Sequence, residues 1–131
     1  MTDAECAWLA GVFDGEGSIV ARKRQQDGDC RNIAISIVNT SKPLMEQVLA
    51  FTETGWLQGR QPKNPNHLYQ WTWTVHGATA IELIRRMRPW LTAKAERADA
   101  ALEGRSFPRL PRWEKVYGDR PDPVAEAVQS E

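Results

Sequence analysis

Two runs of strict alternation constrain this chain more than any other feature. In "RNIAISIVN", Ile33, Ile35 and Ile37 fall on one side and Asn32, Ala34 and Ser36 on the other. In "LYQWTWTV", Tyr69, Trp71, Trp73 and Val75 alternate with Gln70, Thr72 and Thr74. A period of two belongs to a half-buried strand, whose apolar side must be covered while its polar side faces outward. We therefore read the Tyr69/Trp71/Trp73 side as core rather than as a platform for stacking bases. Each run has a partner. "SIVARKR" reaches "RNIAISIVN" through the turn "QQDGD", with Ile19 and Ala21 on one face and Ser18, Val20, Arg22 and Arg24 on the other. After a break at Gly55, "WLQGRQ" precedes "LYQWTWTV". Two hairpins of this kind predict an antiparallel sheet with one apolar and one polar face.

Helices supply the cover. Thr2-Asp3-Ala4-Glu5 has the form of a capping box and opens a helix expected to end near Phe13 or Asp14, with Gly17 as the turn. Thr40 or Ser41 is placed to cap "KPLMEQVLAF", where Pro43 is tolerated in the first turn. "ATAIELIRRM" predicts a third helix, and Thr92 is expected to cap a fourth that runs to about Leu102. The order α-β-β-α-β-β-α-α gives an α+β fold, an antiparallel sheet with helices on one face. Residues 1–104 are expected to form the domain. Residues 105–131 read as an irregular, proline-containing arm docked by Phe107, Leu110 and Trp113, with an acidic flexible tail.

Charge and composition exclude several classes. Net charge is zero over 131 residues, yet residues 22–115 hold 16 Lys/Arg against 9 Asp/Glu, between acidic ends. A basic middle suits a phosphate-facing surface. No apolar run approaches the ~20 residues of a membrane span, so no membrane partner is expected, and the location expected is cytoplasmic or intracellular. Cys6 and Cys30 form no metal-binding pair, and His67 and His76 lack neighbours that suggest catalysis.

One stretch remains unexplained by folding alone. In "WLAGVFDGEGSI", Ala7, Gly11 and Gly15 recur every four positions on one helical face, which favours close approach of another backbone. The acids Asp14 and Glu16 stand at the helix's carboxyl end, where the macrodipole disfavours them. Leu9, Ala10, Gly11, Asp14 and Gly17, with Glu16 as the acidic eighth position, resemble the LAGLIDADG homing endonuclease family. "IVNTSKPLMEQVL" and "YQWTWTV…IRRMRPWLTAKAERA" extend the resemblance over roughly residues 5–103. It implies an αββαββα fold and a Mg²⁺-dependent, site-specific double-stranded DNA endonuclease, with Mn²⁺ as a second candidate metal. A single motif implies a homodimer on a near-palindromic site, joined through Ala7, Leu9, Ala10, Gly11, Asp14 and Gly15. Glu16 is the catalytic carboxylate implied, with the Gly15 carbonyl in its metal shell. Asp14 braces the helix end and the dimer contact, Lys94 is the basic residue near the scissile phosphate, and Asn39 orders water. Pro43 stands where some members have an arginine.

The resemblance also assigns the polar sheet face to the major groove. Ser18, Val20, Arg22, Arg24, Asn32, Ser36, Gln58, Arg60, Gln70, Thr72 and Thr74 are the DNA-binding residues expected on it. Intron or intein mobility is the biological setting implied. The alternative readings are a DNA-binding regulator of the same fold without cleavage, and an RNA maturase.

Overall fold

The computed structural model describes residues 1–23 and 31–107, apart from the side chains of Arg22, Lys23 and Arg31. The sheet runs through Gly17–Lys23 (β1), Arg31–Asn39 (β2), Trp56–Arg60 (β3) and Gln70–His76 (β4). Helices occupy Asp3–Glu16 (α1), Lys42–Thr52 (α2), Gly77–Met87 (α3) and Ala95–Glu103 (α4), with a 3₁₀ turn at Arg88–Trp90. All strands are antiparallel in the order β1-β2-β4-β3, so β1 and β3 are the edges. The element order agrees with the alternation and capping signals.

The core lies between one sheet face and the helices. Ile19, Ile33, Ile35, Ile37, Trp73 and Val75 meet Leu9 and Phe13 of α1, Met45 and Val48 of α2, Ile84 and Met87 of α3, and Ala98 of α4. Period-two burial in the strands, matched by three-to-four spacing in the helices, produces that seam. Trp73 is fully buried and donates its indole N–H to the Thr54 carbonyl at 2.9 Å. Its aromatic neighbours follow only partway: Trp71 is half-buried and Tyr69 is 45 % exposed beside it. Gly55 has φ +101°, and a Cβ there would lie 2.3 Å from the Trp73 indole nitrogen. Turn and core packing thus require the same residue.

Three expectations need correction. First, α1 continues to Glu16, past Phe13 and Asp14, its last turn closed by the Gly17 N–H donating to the Phe13 carbonyl. Second, Gly17 is extended (φ −90°, ψ 166°), not left-handed. Glycine is needed there because a Cβ would sit 2.3 Å from the Phe13 ring. Third, α4 begins at Ala95 with Lys94 as its cap residue, and Thr92 makes no side-chain cap. Ser41, rather than Thr40, caps α2 by accepting from the Leu44 N–H at 3.3 Å. Phe107 packs against the core as expected; Leu110 and Trp113 lie outside the described residues.

Candidate functional site

The acidic end of α1 is built from two distant parts of the chain. The Asp14 carboxylate accepts the Thr92 N–H at 2.8 Å and the Lys94 N–H at 3.0 Å. The Lys94 ammonium donates to the Asp14 carbonyl at 3.0 Å. A cation thus reaches the negative end of the α1 macrodipole, where it is favoured. Asp14 is a brace: both its oxygens are engaged by backbone amides that would otherwise lack partners before α4. Glu16, two residues on, is exposed and ends the helix. Lys94 is half-buried, with its ammonium directed at the same helix end.

Neighbouring positions divide between the chain's own core and its surface. Leu9 and Ala10 have no exposed surface, because they are the inward face of α1. The expectation that they form a dimer contact is therefore corrected. Gly11 and Gly15 are exposed, and a Cβ on either would meet nothing within 4 Å. Ala7 is half-buried on the same stripe. Asn39 ends β2 with its Oδ1 accepting the Ser41 N–H at 2.8 Å, which commits that oxygen to the turn before α2. Its amide N–H groups and the second lone pair of that oxygen can still serve the water-ordering role expected of it.

Metal donors are sparse within one chain. No group of three His, Cys, Asp or Glu side chains among the described residues is arranged to hold an ion. What α1 presents is one exposed carboxylate, Glu16, on a helix end whose last carbonyls lack intrahelical partners. Such an all-oxygen donor set fits Mg²⁺, which keeps several waters and needs only one or two protein carboxylates.

The outer sheet face is ordered in rows by strand register. Ser18, Ser36, Thr74 and Trp56 lie directly across from one another over all four strands. Val20, Ala34 and His76 form the next row, and Val38, Thr72 and Gln58 the row on the other side. Arg22 pairs with Asn32, and Arg60 with Gln70, at opposite ends. The Ser18 and Ser36 hydroxyls are 2.9 Å apart. The register thus brings together every expected DNA-binding position except Arg24, which lies outside the described residues. Ala34 lies on this face as the alternation predicts, whereas Trp56 (70 % exposed), Val38 and His76 share it and were missed. Extending the period of two one step beyond Gln58, Ser36 and Thr74 would have found all three.

Residues 3–54 match the family described as the LAGLIDADG-like domain. Over that segment the chain is similar to the LAGLIDADG-like family. Solved LAGLIDADG-type structures share its α+β fold well beyond that segment. The homing endonuclease I-CvuI, bound to the I-CreI target with Mg and the DNA not cleaved, superposes with a TM-score of 0.59 at 19% identity. That match covers 76% of this chain and 64% of I-CvuI. The archaeal intron-encoded homing endonuclease I-Vdi141I, complexed with DNA, gives 0.59 at 15% identity over 77% of this chain and 66% of its own. For the group I intron-encoded I-CeuI, also complexed with DNA, the values are 0.54, 17%, 78% and 55%. The chain thus spans less than two thirds of each of these LAGLIDADG structures. No curated protein sequence matches it. No helix among the described residues is long and apolar enough to cross a membrane.

Proposed function

We propose that this protein is a site-specific double-stranded DNA endonuclease that works as a two-fold homodimer with a divalent metal, Mg²⁺ by preference. The observation that carries the reading is the position of Glu16: an exposed carboxylate on a braced helix end, next to a stripe of exposed Gly11 and Gly15 with half-buried Ala7. One chain supplies half of a reaction centre. Packing two such stripes about an axis brings two Glu16 carboxylates together, one for each DNA strand. The polar sheet faces of the two copies then form a continuous surface for a near-palindromic duplex. Structures of similar fold solved in complex with DNA support a DNA partner.

The residues divide the work. Glu16 and the Gly15 carbonyl would hold the ion, which supplies Lewis acidity and charge neutralisation at the scissile phosphate when bound. Lys94 neutralises the α1 carboxyl end and lends positive potential beside the phosphate. Asp14 keeps that end in place. Gln58, Arg60 and Gln70 offer donors to base edges or phosphates on the sheet face.

The test is incubation with a randomised duplex library in Mg²⁺ and then in Ca²⁺. Cutting in Mg²⁺ that is lost in Glu16→Gln while binding persists supports the reading. Binding without cutting under any divalent metal replaces it with a regulator, and a preference for structured RNA replaces it with a maturase. A chain that remains monomeric on sizing columns with its target DNA present overturns the two-fold site.

A further inference from the structure

The α1 carboxyl end is held from one side by Asp14. The structure contains a second grip, on the start of β1 that follows it. β1 is an edge strand, so backbone groups that turn away from β2 find no strand partner. The Ile19 carbonyl is instead met by Arg97 of α4, whose Nε donates to it at 2.9 Å. The Arg97 guanidinium lies over the Phe107 ring, 4.3 Å from its centroid, which fixes the plane of the donor. Three residues earlier, the α4 cap residue Lys94 holds Asp14 through its amide and its ammonium. The opening turn of α4 therefore grips the chain at residue 14 and at residue 19, with Glu16 between.

The second grip matters because there is room for movement without it. An open groove of about 370 Å³ is lined by Ser18, Ile19 and Val20 of β1 and by Ala93, Lys94, Glu96 and Arg97 at the start of α4. Arg97 is both a wall of that groove and the donor to Ile19, so without it the start of β1 has volume into which it can shift. Mg²⁺ coordination tolerates little displacement, and ~1 Å of misplacement at a reaction centre costs about 10²-fold in rate. We propose that Arg97 is a positioning residue for Glu16, a role that rests on the nuclease reading above. In this role it acts by holding the Ile19 carbonyl.

The experiment compares the full chain with Arg97→Gln and Arg97→Lys. Amide hydrogen exchange over residues 15–20 should speed up in both variants, while β3 and β4 keep their wild-type protection. Lysine fails with glutamine because it lacks a planar donor that stacks on Phe107. In single-turnover cleavage, the Mg²⁺ concentration for half-maximal rate should rise about tenfold, with duplex affinity in Ca²⁺ unchanged. Unaltered exchange over 15–20, or an unaltered Mg²⁺ midpoint, overturns the proposal. So does a uniform fall in protection and duplex affinity, which would make Arg97 a general structural residue. A wild-type chain that cuts no duplex removes the nuclease reading and this role with it. The exchange data would still report separately whether the grip exists.

Discussion

The two ends of α1 are built by opposite means. At the amino end everything is local: the Thr2 hydroxyl accepts the Glu5 N–H at 3.1 Å, and the Glu5 carboxylate accepts the Thr2 N–H at 3.2 Å. Those bonds hold the Glu5 carboxyl below the usual carboxylate range, the Thr2 backbone N–H contributing most and its hydroxyl next. At the carboxyl end no basic residue stands in the last turn, and help comes from Thr92 and Lys94, about 80 positions away. The lesson is that one helix places acids at both poles. Local geometry stabilises them at the favourable pole, and tertiary contacts do so at the unfavourable one.

Breaking the distant end should cost most. Asp14→Ala leaves the Thr92 and Lys94 amides without their acceptor and should lose about 2–3 kcal/mol in urea unfolding. A loss under ~0.5 kcal/mol would mean the brace is incidental. Gly17→Ala drives a methyl into the Phe13 ring and should cost roughly 1–3 kcal/mol by the same measurement.

Breaking the near end should cost less. Thr2→Ala should lose about 1 kcal/mol, the usual worth of a side-chain cap. The pH dependence sharpens the comparison. A Glu5 carboxyl held low in the folded state adds stability that is present above the ordinary carboxylate range. That stability fades as pH falls through its folded value. The difference between Glu5→Gln and wild type should therefore narrow in acid, as thermal midpoints across a pH series would report.

The smallest effect should have the opposite sign. Gly11→Ala meets nothing in the protomer and should stabilise an isolated chain by up to ~1 kcal/mol through helix propensity. A bulkier Gly11→Leu should leave the protomer folded and abolish the proposed dimer, as sedimentation with target DNA would show.

Legibility follows the same division between local and distant. The sheet could be read because alternation is a property of adjacent residues, as Ile33, Ile35 and Ile37 show. The capping box could be read for the same reason. The end of α1 could not: its acids argue for a stop until the Lys94 ammonium is known to lie beside the Asp14 carbonyl. Thr92 resembled a cap, but its N–H is claimed by Asp14, a partner no local window contains. At Gly17 the residue was right and the reason wrong, since the constraint is an aromatic ring rather than a left-handed turn. Leu9 and Ala10 belonged to the motif, and only burial separates its inward positions from the uncovered Gly11 and Gly15. Trp56 was missed by stopping a period of two one step early.

Phe13 and Gly17 form a joint unit of change. The ring fills the volume that any other residue at 17 would claim, so neither position can drift while the other stands still. Repertoires that diversify the junction of α1 and β1 should therefore vary these two sites as a couple. Single-site libraries at position 17 are expected to return glycine.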